Sequence, residues 1–216
     1  MKELPSPTFA LSPVYFPRGS LHPGPVNPAV DFLPRRVQST IQVAWAQHQD
    51  EVREAQQLRY TVFATEMGAR LPKTLPGHDI DLFDDYCEHL LVRDTLNGQV
   101  IGTYRVLTPA QAKRAGSTYS DTEFDLTRLR DLRKRMVELG RSCVHADHRH
   151  GGVIMALWGA LFEFMDRNRL DTMIGCASIP MLHNGVVSGD VAASIWRQVE
   201  ATHLAPIEYH VRPRLP

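Results

Sequence analysis

The stretch over residues 136–179 constrains the fold more than any other part of the chain. Residues 136–145 predict a strand, 147–152 a charged turn ending in two glycines, the apolar run after it a helix, and 172–179 a second strand. A helix between two strands is the crossover that a parallel pair requires. The turn sets Arg149, His150, Gly151 and Gly152 at the start of that helix, where free N–H groups and the positive end of the helix dipole favour an anion. Glu138 and Arg141 lie on the incoming strand. A candidate base beside an anion cradle points to transfer of a group carried on a phosphate-bearing arm.

The flanking chain fits a mixed α/β fold. Ile41, Val43 and Trp45 alternate as in a strand, and Val52, Ala55, Leu58 and Val62 share one face of a helix over 50–65. Residues 68–82, broken by Pro72, Pro76 and Gly77, read as a loop. Strands over 89–93 and 100–107 flank Asn97-Gly98, a hairpin signal that excludes a purely parallel sheet. Pro109 opens a short helix to Gly116, and residues 125–135 predict a charged, leucine-spaced helix. After Ile179, an apolar helix over 191–199 leads to a last strand near 207–211. Residues 1–38, with Pro5, Pro7, Pro13, Pro17, Pro23, Pro25, Pro28 and Pro34, predict a flexible arm, and 39–216 a single domain. Phe9, Tyr15, Phe16 and Phe32 of the arm could touch a membrane or a partner, but a mobile tail is favoured.

Twenty-four basic residues balance twenty-four acidic ones, so no global charge points to nucleic acid. The apolar runs are too short or too interrupted to span a bilayer, and no signal-peptide pattern opens the chain. Cys87, Cys143 and Cys176 lack C-x-x-C spacing and read as reduced, mostly buried thiols of a cytoplasmic protein.

Residues three apart on a strand face opposite ways unless a bulge intervenes, and Gly140 is a plausible place for one. Glu138 could then take a proton from a nucleophilic amine, while Arg141 fixes a carboxylate or tunes Glu138. A structural salt bridge within the sheet is the alternative. Asp79, Asp81, Asp84 and Asp85 could bind a cation, but they lack calcium-loop spacing, and their pattern favours a solvated loop. His145, Asp147, His148 and His150 straddle a strand end and a helix start, where they would splay apart, so no metal site is assigned. Arg128, Arg130, Arg133, Lys134 and Arg135, with Asp131 among them, form a solvated helix face or a dock for an acidic protein. Val153, Ile154, Leu157, Leu161 and Met165 are core, and Trp158 or Phe162 could also border an acyl pocket.

The string Glu138-Leu-Gly-Arg141-Ser-Cys-Val resembles the ornithine-lipid acyltransferases of the GNAT acyltransferase superfamily. So do Arg59-Tyr-Thr-Val-Phe63-Ala-Thr-Glu66-Met-Gly68, Asp79-Ile-Asp81-Leu-Phe83-Asp84, Cys87-Glu-His89-Leu, Gly102-Thr-Tyr-Arg105, Glu123-Phe-Asp-Leu and Gly175-Cys-Ala-Ser178. The same skeleton is similar to that of the acyl-homoserine-lactone synthases. The resemblance runs from about Val52 to Val211 and implies a GNAT-like mixed central sheet flanked by helices, with splayed central strands.

It also implies transfer of a 3-hydroxyacyl group from acyl carrier protein to the α-amine of ornithine. Glu138 would be the base and Arg141 its companion. Arg59, Arg105 and Arg141 would hold the amino acid's carboxylate, and Asp79, Asp81 and Asp84 its distal amine, with Phe63 and Phe83 beside them. N–H groups near Cys143 and Val144 would steady the oxyanion. The carrier's phosphopantetheine would be the only cofactor-like group, its arm between the splayed strands past Trp158 and its phosphate near Arg149, Gly151 and Gly152. Arg128, Arg130, Arg133, Lys134 and Arg135 would face the acidic carrier. The helix start, Arg149-His-Gly-Gly152-Val-Ile154, keeps only the first half of the superfamily's phosphate loop, which suits a carrier protein better than coenzyme A. The family pattern also leads to an expectation of chain beyond Leu215, and a lipid product to one of contact with the inner membrane. A signal synthase with another acceptor amine, and a carrier- or lipid-binding protein without turnover, are the other readings. An acyl-cysteine route through Cys143 is disfavoured, because no histidine base is evident beside it.

Overall fold

In a computed structural model, described for residues 40–72, 74–179, 181–183 and 186–215, strand β1 (Ile41–Trp45) leads to helix α1 (Gln49–Tyr60). The helix continues as one π-helical stretch, Thr61–Glu66. After a loop and a 3₁₀ turn at Asp84–Tyr86 come β2 (Glu88–Asp94) and β3 (Val100–Leu107), joined by the expected tight turn. Gly98 sits there at φ +73°, and Asp94 and Asn97 accept from the N–H groups two residues on. Helix α2 (Pro109–Ala115) starts on Thr108 as a capping box with Gln111 and ends on left-handed Gly116. There follow α3 (Ser120–Glu123), β4 (Phe124–Asp125), β5 (Met136–Val144), α4 (Gly152–Arg167), β6 (Thr172–Ile174), the pair β7 (Leu182–His183) and β8 (Val186–Val187), α5 (Gly189–His203) and β9 (Arg212–Pro213).

The central sheet runs β1-β2-β3-β5-β6, antiparallel except for the parallel β5–β6 pair that α4 bridges. This is the mixed sheet flanked by helices that the sequence implies. Alternation, shifted once on β3 where Ile101 falls out of register with β2, decides its two faces. Leu90, Val92, Ile101, Val137 and Leu139 pack against Val153, Leu157, Leu161 and Phe164 of α4. Leu91, Val100 and Cys143 pack against Ala55 and Leu58 of α1 and Val62 of the turn that extends it. Both faces of β2 are therefore covered, and the strand reads as a continuous apolar run. Gly102 lets α4 lie this close, since a Cβ there would meet Val153 Cγ1 at 2.5 Å.

Three sequence expectations change. Residues 125–135 are not a helix: Phe124–Asp125 is a short strand pairing with β9, Thr127–Leu129 is a 3₁₀ turn, and i→i+3 bonds continue to Arg135. The leucines at 126, 129 and 132 recur every three residues, the period of a 3₁₀ helix, and Leu126 and Leu129 are buried on Met136. The second strand of the crossover stops at Ile174 rather than 179. Residues 207–209 form a 3₁₀ turn, and the last strand is Arg212–Pro213. The expected arm over 1–38 lies outside the described residues.

Two glycines separate packing from propensity. Gly102→Ala is expected to destabilise the protein by about 1–3 kcal/mol through overpacking against Val153. Gly159→Ala, exposed in the middle of α4 with open space around its would-be Cβ, is expected to stabilise it by about 1 kcal/mol. Thermal melts of the two variants give opposite shifts.

Candidate active site

Strands β5 and β6 pair from Met136↔Thr172 to Glu138↔Ile174 and then part. Gly175 still touches β5, for its Cβ would meet Leu139 O at 2.5 Å. Beyond it opens a cleft of about 880 Å³, walled by residues 138–144 on one side and 173–178 on the other. Phe63, Met67 and Leu71 close it from the segment after α1, and Trp158 from α4. These are the splayed strands that the resemblance implies.

The sequence places a bulge near Gly140. The residue that makes it is Arg141, at φ +52°, with Thr103 opposite Cys143 and Arg105 opposite Gly140, so that β5 spends one residue more than β3. The extra residue inverts the alternation. Val137 and Leu139 face α4, whereas Cys143, of the same parity, packs with α1. Glu138 and Arg141 thereby both border the cleft, as does Arg105.

Glu138 and Arg141 form no ion pair with each other. Glu138, buried, accepts from two backbone N–H groups, Tyr119 at 2.8 Å and Ser120 at 2.6 Å. Arg141 instead belongs to a closed ring of alternating charge. Arg59 Nε lies 3.0 Å from Asp79 Oδ2, and Arg59 Nη2 2.8 Å from Asp84 Oδ2. Arg105 Nη1 lies 2.9 Å from Asp84 Oδ1 and 2.6 Å from Asp81 Oδ1. Arg141 closes the circuit at 3.1 Å from Asp81 Oδ2 and 3.4 Å from Asp79 Oδ2. Gln56 adds a hydrogen bond to Asp84 at 3.2 Å.

The solvated loop favoured by the spacing of the aspartates is thus overturned: Asp79 is fully buried and Asp84 nearly so, because three guanidinium groups from α1, β3 and β5 neutralise them. Arg59 and Asp79 lie at 0% exposure and do not border the cleft, and neither do Asp81, Phe83 and Asp84. Of the residues assigned to the acceptor, Phe63, Arg105 and Arg141 are at the cleft wall. Arg105 and Arg141 also lie over the rings of Phe83 and Tyr119, each 5.9 Å from the centroid.

Burial pushes the Asp84 carboxyl up, but Arg59 and Arg105 outweigh it and hold it at about 2. Asp81 is lowered in the same way, its burial outweighed by Arg105. Asp79, the most enclosed, is raised by burial against the pull of Arg59 and Arg141. Burial also pushes the thiols of Cys87 and Cys143, both at the cleft wall, up to about 12, which keeps them in the poorly nucleophilic thiol form.

Val144 stands opposite Gly102, next to His145, whose N–H donates to Ile101 O at 2.8 Å. By strand alternation the Val144 N–H then points away from β3, toward the cleft side. Arg149 borders the same cleft, donating to Val144 O at 3.0 Å and to Glu66 at 2.5 Å. Gly151, at φ +94°, and Gly152 begin α4 with no side chain over its free N–H groups.

The basic run is only partly free. Arg133 grips Asp121 at 2.5 and 2.9 Å, Arg135 pairs with Asp171 at 2.9 Å, and Arg130 lies 3.7 Å from Asp131. Arg128 donates to Ile207 O, and Lys134 is exposed. Sequence reasoning missed Tyr119, Ser120 and Asp121. The legible signal was Thr118-x-x-Asp121, a capping-box spacing, and the structure has both halves of it: Thr118 N donates to Asp121 Oδ2 at 3.0 Å and Asp121 N to Thr118 Oγ1 at 3.2 Å. Among the described residues no helix is long and apolar enough to cross a membrane.

A model of the acetyltransferase (GNAT) domain matches residues 58–159. The L-ornithine N(alpha)-acyltransferase of Brucella abortus (strain 2308) is 38% identical over 157 residues, covering 67% of this chain and 56% of that protein. The protein of the same name from Rhodobacter capsulatus is 35% identical over 182 residues, covering 80% of this chain and 67% of that protein. The chain spans between about half and two thirds of the length of such relatives. Among solved structures, the AHL synthase LasI aligns at 18% identity and a TM-score of 0.45, over 62% of this chain and 70% of that one.

The ring gives two expected outcomes. Arg59→Met leaves Asp79 and Asp84 buried without their shared partner and is expected to cost about 3–5 kcal/mol in denaturant melts. Asp84, lowered from 3.8 to about 2, contributes stability that is complete above its unfolded value and fades as pH falls through that window. Asp84→Asn is therefore expected to be less stable than wild type at neutral pH, with the gap closing as an acid titration approaches pH 2.

Proposed function

The chain belongs to the L-ornithine N(alpha)-acyltransferase family, and from that membership we propose that it moves a 3-hydroxyacyl group from acyl carrier protein to the α-amine of ornithine. The observation that carries the reading is the convergence of one carboxylate, Glu138, and two guanidinium groups, Arg105 and Arg141, on a cleft between parted parallel strands. A base and a carboxylate clamp are what an amino-acid acceptor needs.

The ornithine ammonium gives a proton to Glu138, directly or through one water, and becomes a nucleophile. Each Glu138 oxygen keeps a lone pair beside its N–H bond from Tyr119 or Ser120. The α-carboxylate docks on Arg141 and Arg105, whose donors are not all spent on the aspartates. The amine lone pair attacks the thioester carbon, the C–N bond forms, and the carbonyl oxygen takes up negative charge opposite the Val144 N–H. Collapse breaks the C–S bond, the thiolate leaves as the carrier's thiol after gaining the ammonium's second proton, and the amide remains. Holding both substrates at once replaces any covalent enzyme intermediate. Arg149 and the open start of α4 suit the arm's phosphate, and the apolar walls at Phe63, Met67 and Trp158 suit the acyl chain. Arg130 and Lys134, the least engaged cations of the basic run, suit an acidic carrier.

The test supplies 3-hydroxyacyl carrier protein with a panel of amino acids and reads products by mass spectrometry. Wild type is expected to acylate ornithine. Glu138→Gln is expected to lose about 10²–10⁴ of that rate and, because its amide NH2 must face one of the two N–H donors, about 1–3 kcal/mol of stability while staying folded. Another acylated amine would replace the acceptor, and no product from folded protein with active donor would sink the enzymatic reading.

A further inference from the structure

The proposed base is held by a turn rather than by a cation. Both oxygens of Glu138 rest on consecutive N–H groups of residues 119 and 120. Those two amides are fixed by a reciprocal cap in which Thr118 N and Oγ1 donate to Asp121 at 3.0 and 2.8 Å and Asp121 N returns a bond to Thr118. Thr118 and Ser120 are buried, so the turn cannot borrow water to replace these bonds. The cap is held in turn from the surface. Arg133 closes fork-on-fork on both Asp121 oxygens, a geometry that fixes direction as well as distance. The ring of Tyr119 lies under the Arg141 guanidinium, so the same turn touches Glu138 and Arg141 alike.

We infer that Asp121 and Arg133 are positioning residues, a surface clamp that sets the Glu138 carboxylate through the turn over residues 118–123. The inference rests on the reading of Glu138 as the base. It also removes Arg133 from the set of cations unengaged in the protein, because the Nη1–Nη2 edge of its guanidinium is already committed to Asp121. Small displacements of a proton acceptor are costly in rate, whereas the donor site at the start of α4 lies outside the clamp.

The experiment measures kcat, and KM for acyl carrier protein, in Asp121→Ala, Arg133→Ala, the double variant, Arg133→Lys and Glu138→Gln, with a thermal melt for each. The clamp predicts that Asp121→Ala and Arg133→Ala each lose on the order of tenfold in kcat. The carrier KM should stay within about twofold, and the double variant should be no worse than either single one. Arg133→Lys, which keeps the charge and loses the fork, is expected to recover part of kcat. A docking role predicts the reverse: a raised carrier KM in Arg133→Ala and an unchanged or lowered one in Asp121→Ala, which frees the arginine. That pattern, or kcat within twofold of wild type in both single variants while Glu138→Gln is inactive, overturns the clamp and leaves the site reading standing. Full activity in Glu138→Gln overturns both. If Asp121→Ala does not fold, the kcat of Arg133→Ala against Arg133→Lys decides.

Discussion

Six charged side chains, three arginines and three aspartates, close on themselves beneath the cleft, and the rest of the site depends on that closure. No single pair among them would justify its burial, because the desolvation of two ions is rarely repaid by one contact. In a ring each guanidinium meets two carboxylates and each carboxylate two guanidiniums, so charge balances locally as well as in sum. Arginine suits this role because it stays ionised when buried and presents donors in several directions. The ring also does the work of secondary structure. The segment carrying Asp79 and Asp81 has no regular backbone ladder, and it is fixed instead by side chains from α1, β3 and β5.

The ring explains why a strained residue sits at the cleft. Arg141 at positive φ costs about 1–2 kcal/mol relative to an ordinary strand conformation, a cost glycine would not carry. Gly140 stands immediately before it, yet the left-handed conformation falls on the arginine. The reason lies in what the arginine reaches: from that backbone position its guanidinium spans Asp79 and Asp81 while its stem stays at the cleft wall. The bulge that delivers it also turns Cys143 toward α1, where it packs in the core at the edge of the cleft.

Much of this was legible beforehand where the signal is local. Period-two alternation in β1, the Asn97-Gly98 turn, the capped ends of α2 and the apolar run of α4 all specify their own neighbourhoods, and each lies where the sequence puts it. The order of motifs shared with a known family carried the splay of β5 from β6. What stayed hidden depends on long-range pairing. Aspartates spaced for a solvated loop become buried only when arginines 20 to 62 positions away fold over them. The charge and leucine spacing of the basic run suit a helical face, but its leucines recur every three residues, the period of the 3₁₀ turns it forms. Glu138 was found as a carboxylate on a strand, but the amides that hold it carry no side-chain signature at all.

The extra residue at Arg141 has a consequence for how this site can change over generations. Alternation along a strand is a two-letter frame, and here the frame is shifted once, midway along β5. Point substitutions before or after the shift alter one side chain at a time and leave the frame intact. Loss of Arg141, the one residue between Gly140 and Ser142, would do something different in kind: besides opening the charge ring, it would export Cys143 to the α4 face and Val144 to the α1 face. Such a chain would keep the pairing order of its sheet but lose the ring beneath its cleft, whose walls would be turned inside out. The site is therefore far more tolerant of spelling errors than of deletions, and its length in this strand is as much a part of its chemistry as any residue in it.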